Sequence, residues 1–345
     1  MWSKQEILAF SDLLSALTNY RAVASKSLDE MAQKGVRTPQ QITNLRNAVN
    51  SNADLFEYII KKAPGVFGAK KEQQIQFPIT RSPEEFDSTD LSQLMAAIKS
   101  AARDWTPLGD NERNQTYTPI IDALNEFLPR DSTVLVPGAG LCRLAVEISS
   151  SGFISFANEQ AFIMILMTQI ALRRKHVFQI FPFLHQVSGL DSYDDALMGF
   201  TFPSAQIKDN YDTRGGIIDP LKLLSEGRLN LLAGGFEAIK CAREHLYDAV
   251  VTCYFIDVVE NIRQTVELIY NLLRPGGYWI NMGPMLLHRC DDNLFSSMTL
   301  TDLVQITEEM GFQIVKDDRV YTTYCQNPKS HIRSSYRCQF LVARK

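Results

Sequence analysis

Val134 to Ile148 reads VLVPGAGLCRLAVEI: a short apolar run, a glycine turn and the first turns of an amphipathic segment. An apolar run of this length before a glycine turn predicts a buried strand entering a helix, which points backbone N–H groups at whatever lies above the sheet. Phosphate is the usual partner of such a turn, but the dinucleotide fingerprint needs a third glycine for close helix packing, and Arg143 stands there. No Gly-Lys-Ser/Thr follows, so the P-loop pattern fails as well. What remains is a turn that lets a ligand come close to the backbone.

From Ser132 onward, apolar runs at 133–137, 153–158, 229–232, 249–255, 277–282, 312–318 and 336–343 predict strands. Helical patterns at 141–150, 160–177, 236–245, 259–273 and 300–310 lie between them, the signature of a parallel sheet covered on both faces. No helix fits between Phe312 and Lys345, so the last strand is expected to insert antiparallel beside its predecessor. A doubly wound α/β sheet with that ending is the class I methyltransferase (Rossmann-like) shape, seven-stranded and mostly parallel.

Before this region the pattern is all-helical. Ile7, Phe10, Leu13, Leu14, Leu17 and Tyr20 recur at helical spacing up to about Lys34, and Thr38-Pro39 opens a second helix. Residues 64–89 read as a linker, with further helices at 91–105 and 119–128. The expected organisation is a helical extension and linker over 1–105 and a catalytic domain over 106–345, with a polar insertion at 186–227 as a substrate-side lid.

The net charge of −4 and the absence of a long basic run argue against nucleic acid or an anionic membrane as partner. Six cysteines at 142, 241, 253, 290, 325 and 338 form no Cys-x-x-Cys pair, and the five histidines show no ligand spacing, so no metal and no disulfide framework is expected. No apolar run reaches the ~18 residues a membrane span requires, and the chain opens without a secretory pattern. The expected location is cytoplasmic, with the nucleus as a second compartment.

Ligands of open α/β sheets sit beyond the carboxyl ends of the strands. Glu159 ends the second strand about twenty positions after the glycines, where a carboxylate accepts ribose hydroxyls; the alternative is a solvated acid at a helix start. The third strand ends Gly234-Gly235-Phe236, with glycine where an acceptor for an adenine amine is expected. The fourth ends Thr252-Cys-Tyr-Phe-Ile-Asp257, and Pro275-Gly-Gly277 leads into the fifth.

These stretches together resemble the carnosine N-methyltransferase family, also called N2227-like. The matching residues are Arg103-Asp-Trp105, Val134 to Leu141 with Arg143-Leu-Ala145, Asn158-Glu159, Phe181-Pro182, His185-Gln186, Thr252-Cys253, Phe255-Ile-Asp257, Pro275-Gly-Gly277, Trp279-Ile-Asn281, Gly283-Pro284, His288 and Val342 to Lys345. The resemblance implies methyl transfer from S-adenosylmethionine to an imidazole nitrogen of a histidine-containing dipeptide, carnosine giving anserine. By matching position it implies Arg103 on the methionine carboxylate, Gly138 and Gly140 on the donor's backbone side, Glu159 on its ribose, and Phe236 and Cys253 on its adenine side. Asp257, His288 and Tyr336 would face the dipeptide, Asp257 by accepting one imidazole N–H so that the other nitrogen's lone pair is free. A small-molecule dipeptide is thus the expected partner, with a homodimer as a possible assembly.

Each role has a structural alternative: Asp257 as cap of the following helix, Arg103 as a surface ion pair, His288 as a structural histidine, Tyr336 as sheet filling. The chain departs from the family pattern at Cys142, where glycine is usual, at Gly235, where an acid is usual, and at Ser334, where a tyrosine is expected. Two other readings are a methyltransferase acting on a peptide or protein histidine, and a non-catalytic binding protein on the same fold.

Overall fold

The structure is a computed structural model that describes residues 3–66, 81–204, 218–241, 246–286 and 298–345. In chain order its helices and strands are α1 (Lys4–Gln33), α2 (Pro39–Val66), α3 (Ser88–Trp105), α4 (Asp110–Phe127), β1 (Thr133–Pro137), α5 (Arg143–Ser150), β2 (Ile154–Glu159), α6 (Phe162–Arg173), β3 (Phe178–Ile180) and β4 (Phe200–Phe202). There follow α7 (Pro220–Ser225), β5 (Leu229–Ala233), β6 (Tyr247–Cys253), α8 (Ile262–Leu272), β7 (Leu273–Gly283), α9 (Leu300–Glu309), β8 (Gln313–Thr322) and β9 (Tyr336–Arg344).

The chain divides into two compact units, one of residues 1–109, 162–205 and 325–333, the other of 110–161, 206–324 and 334–345. The second unit holds a seven-stranded sheet in the order β5-β2-β1-β6-β7-β9-β8. β1 pairs in parallel with β2 on one side and β6 on the other, which makes their junction the switch point. β9 runs antiparallel between β7 and β8, as the helix-free C-terminus predicts. This is the class I methyltransferase sheet. Strands at its centre are apolar on both faces, Val134, Leu135 and Val136 being almost wholly buried, because helices cover both sides. On one face Trp279, Val266, Ile269 and Leu273 pack with Leu303 and Phe312 under α8 and α9.

Several element bounds differ from those predicted. α4 starts nine residues before Pro119 rather than at it, so the proline lies inside the helix. Its preceding turns bury Glu112, Arg113, Thr116 and Tyr117, and that packing outweighs the one hydrogen bond a proline forgoes. The expected helix 236–245 is a 3-10 helix over Phe236–Cys241, and residues 242–245 lie outside the described residues. α6 ends at Arg173 instead of 177, where Arg174 takes a positive φ of 49°. The Pro275-Gly-Gly277 turn lies within the span of β7: Leu273 pairs with Tyr247, then the register shifts before Ala249 meets Tyr278.

The helical unit starts as the caps dictate. Ser3 and Glu6 form a reciprocal capping box at α1, and Thr38 and Gln41 exchange the same pair of bonds ahead of Pro39 at α2. Phe10, Leu17, Tyr20, Leu55, Phe56 and Trp105 are buried in its core. The predicted linker is helical up to Val66 and from Ser88; residues 67–80 lie outside the described residues. Two segments from beyond β2, residues 162–205 and 325–333, join this unit. One of them carries α6 and the small β3–β4 hairpin, whose backbone is held by Asn52, which donates to the Phe181 carbonyl and accepts from its N–H. The same segment supplies residues 186–204 of the expected insertion; 205–217 lie outside the described residues, and α7 follows them.

The unit contains a cavity of about 260 Å³ lined by Tyr20, Leu28, Leu45, Val49, Phe86 and His185, among others. Tyr20 Oη lies 3.0 Å from His185 Nε2 there. His185 is exposed along the hollow, yet the protein packed about its ring desolvates the imidazolium enough to push its pKa down to about 4. Between pH 6.5 and 4 the unfolded chain therefore binds a proton at this site that the folded chain does not, so stability falls as pH falls through that window. Urea titrations of wild type and His185→Gln across it should show a slope in the former that is reduced in the latter.

Candidate active site

The carboxyl end of β2 organises the sheet's ligand-binding edge. Asn158 donates through Nδ2 to the carbonyls of Leu232 (3.2 Å) and Gly234 (2.8 Å), holding the turn after β5. Its own carbonyl accepts from Ala139 N at 2.9 Å, in the glycine turn after β1. Next to it, Glu159 accepts from the N–H groups of Gly140, Gln160 and Ala161, each at 2.8 Å, and its carbonyl accepts from Gly234 N at 2.9 Å. Three turns are thus tied to two consecutive residues. Burial pushes the Glu159 pKa above the ordinary glutamate value, and the three N–H donors pull it back in part. With three donors on a group that has about four lone-pair sites, the carboxylate keeps room for a hydroxyl.

Within the turn, Gly138 has φ 61° and carries the ring of Phe255 against its Cα: a Cβ there would lie 2.4 Å from Phe255 Cδ2. Only glycine fits under that ring. Cys142 also has a positive φ, 61°, at the start of α5, so the glycine usual in the family at this position corresponds to a conformation this chain imposes on a cysteine. Arg143, in the place of a third glycine, is buried in an ion pair with Glu147 one turn along α5, Nε to Oε1 at 2.7 Å.

β6 supplies the second side of the edge. Thr252 donates to Asn281 Oδ1 and accepts from Trp279 Nε1, both at 2.9 Å, and all three residues are buried. Two residues later Tyr254 takes φ 52°, a left-handed conformation that costs an aromatic residue roughly 1–3 kcal/mol. It is held by a bond from its N–H to the Met282 carbonyl at 2.8 Å and by edge-on contact with Tyr324. Gly283 lets this happen, since a Cβ there would approach Tyr254 N to 3.2 Å. The family-specific strings around Thr252, Trp279, Asn281 and Gly283 therefore serve to shape the exit of β6.

That exit ends on Asp257, 4% exposed, in the short 3-10 helix Ile256–Val258. Asp257 does not cap α8; Asn261 does, accepting from Gln264 N at 3.0 Å. Cys253 closes β6 half-buried, paired with Met282. Phe236 is buried and meets Phe255 edge to face at 5.6 Å. Tyr336 opens β9 opposite Thr322; β9 is antiparallel, with Gln339 opposite Gly283, so Tyr336 lies beyond the carboxyl end of β7. Gly138, Gly140, Glu159, Phe236, Cys253, Asp257 and Tyr336 all belong to the sheet unit. Arg103 belongs to the helical unit, in the last turn of α3, and it is buried rather than a surface ion pair, with Nη1 3.3 Å from Asp104 Oδ1. His288 lies outside the described residues.

The family model for carnosine N-methyltransferase matches residues 81–345. The chain belongs to the carnosine N-methyltransferase family. It is 28% identical over 335 residues to the carnosine N-methyltransferase of Mus musculus, covering 93% of this chain and 79% of that protein. To the carnosine N-methyltransferase of Schizosaccharomyces pombe it is 27% identical, covering 99% and 97%. Among solved structures it is similar to a Burkholderia thailandensis 1,6-didemethyltoxoflavin-N1-methyltransferase with bound S-adenosylhomocysteine, at 15% identity and TM-score 0.40, covering 79% of this chain and 93% of that one. Family and sheet topology together make the chain an S-adenosylmethionine-dependent N-methyltransferase. Among the described residues no helix is long and apolar enough to cross a membrane.

The sequence pattern does not mark Asn158 as a positioning residue or Tyr254 as a strained one. The Asn-Glu pair at a strand end was the available signal for the first; nothing local signals a positive φ at a tyrosine. Thr252→Val removes the acceptor of the Trp279 indole and the donor to Asn281, so it should lower stability by about 1–3 kcal/mol for each buried group left unpaired, read as a shifted urea midpoint. Glu159→Gln should weaken binding of S-adenosylhomocysteine in calorimetry. It should also flatten the stability profile above pH 4.5, because a raised folded pKa makes the Glu159 contribution decline as pH rises through that region.

Proposed function

We propose that this methyltransferase acts on an imidazole nitrogen of carnosine or a closely similar histidine-containing dipeptide, giving anserine from carnosine, with S-adenosylmethionine as donor. The observation that carries this reading is the family match across residues 81–345. The site's chemistry is compatible with it.

Bound S-adenosylmethionine would supply an electrophilic methyl group on a sulfonium. The edge described above fits an adenosyl ligand: Glu159 retains acceptor capacity for a ribose hydroxyl, Gly138 and Gly140 keep the turn free of side chains, and Phe236 and Cys253 stand at the ends of the neighbouring strands. Displacement at a sulfonium methyl needs a neutral nucleophile held in line, so orientation dominates. The carboxylate of Asp257 accepts one imidazole N–H, which fixes the tautomer with its lone pair on the other nitrogen. As that lone pair forms the new N–C bond, the C–S bond breaks with its electrons going to sulfur. Positive charge then spreads over the ring beside Asp257, which stabilises it until the ring proton is released. Tyr336 stands on the dipeptide side of this scheme.

Incubation with isotopically labelled S-adenosylmethionine and carnosine, followed by mass spectrometry, should yield a methylated dipeptide with wild type and at least about 100-fold less with Asp257→Ala, while that variant still binds S-adenosylhomocysteine. Donor binding without a methylated dipeptide would overturn the carnosine assignment and move the search to peptide or protein histidines.

A further inference from the structure

Gly235 stands where the strand-end pattern leads one to expect an acceptor, and its surroundings are not empty of acceptors. A Cβ built on Gly235 would lie 3.3 Å from Glu237 Oε2 and 3.5 Å from Gln160 Oε1. Two side-chain oxygens, from the segments leaving β5 and β2, therefore converge on the volume that a side chain at 235 would fill. β2 and β5 are paired in register up to Glu159 and Ala233, so the two segments leave the sheet side by side. The turn between them is fixed by the Asn158 amide on the Leu232 and Gly234 carbonyls and by Gly234 N on the Glu159 carbonyl. Glu237 and Gln160 are both exposed, and Glu237 is in no ion pair among the described residues, so the two side chains are accessible to a ligand at this rim.

We propose that Glu237, assisted by Gln160, reads the exocyclic amine of the donor's adenine from the volume that Gly235 leaves open. The proposal rests on S-adenosylmethionine being the donor. An exocyclic amine offers two N–H donors to two converging oxygens, whereas a purine with a carbonyl at the same carbon would set oxygen against the Glu237 carboxylate. An ionised carboxylate accepts and cannot donate, so it discriminates between these two purines in a way that a glycine alone cannot. The acceptor is supplied two residues later in the chain than the strand-end position itself. Glycine at 235 is then a requirement, because a side chain there would compete with Glu237 for the same space.

Calorimetry on the purified full-length chain tests this with S-adenosylhomocysteine and its inosine counterpart, S-inosylhomocysteine. Wild type should bind the adenosine compound at least about tenfold more tightly, the size expected for one charge-assisted hydrogen bond at a solvent-facing rim. Glu237→Ala should lose that preference by weakening the adenosine compound alone. Glu237→Gln, whose amide can donate to the inosine carbonyl, should bind the inosine compound more tightly than wild type does. Adding Gly235→Asp to Glu237→Ala should restore the preference for adenosine. Equal binding of S-adenosylhomocysteine by wild type and Glu237→Ala would overturn the proposal and leave the donor assignment standing, as would an equal loss of both compounds. Binding of neither compound by wild type with a folded circular-dichroism spectrum would bring down the donor assignment, and this proposal with it.

Discussion

The edge of the sheet where ligands would bind depends on two consecutive side chains, Asn158 and Glu159. A parallel sheet fixes its strands by backbone bonds, but the turns beyond their carboxyl ends leave N–H and C=O groups without a strand partner. Here the Asn158 amide donates to two carbonyls after β5, and the Glu159 carboxylate accepts from three N–H groups, one in the glycine turn after β1 and two in the residues that follow it, Gln160 and Ala161. Satisfying these groups with short, partly buried side chains holds three turns in one arrangement before any ligand arrives. Such preorganisation matters most in a reaction governed by orientation, because less ordering remains to be done on binding.

On the other side of the switch point, the constraint is backbone strain. Tyr254 leaves β6 in a left-handed conformation, close enough to β7 that Gly283 must lack a side chain. The bond from Thr252 to Asn281 and the Trp279 indole on Thr252 lock the last residues of the two strands together below this point. The strained turn redirects the chain so that Asp257 arrives buried, with Asn261 left to cap α8. A strained exit and a carboxylate released from capping duty are what a positioned functional group requires.

The helical unit shows how packing redistributes a chain. Its first three helices follow their capping signals, yet α6 and the β3–β4 hairpin, which arise inside the sheet-forming half of the sequence, belong to it by contact. Motif residues Phe181 and His185 are accounted for here: the Phe181 backbone is bonded to Asn52 of α2, and His185 is in hydrogen-bond contact with Tyr20 of α1 at the wall of a small cavity. Their recurrence in the family pattern fits a role in holding this unit together.

The sheet is legible in the order of the amino acids: its seven strands, the glycine turn at its centre and the antiparallel last strand follow from apolar runs, glycine placement and the lack of any helical pattern after Phe312. That order also marks Glu159 and Asp257, since acids at the ends of apolar strands stand out against their surroundings. The tertiary structure alone decided what those residues touch. Glu159 meets Gly140 across nineteen positions, Trp279 meets Thr252 across twenty-seven, and Gly138 is a glycine because of the ring of Phe255. Periodicity reports which face of an element is buried, and it carries no information about which distant residue completes a hydrogen bond or fills the space above a Cα. For the same reason Gly235 looked like a missing acceptor in the sequence, whereas folding brings the oxygens of Glu237 and Gln160 to that very place.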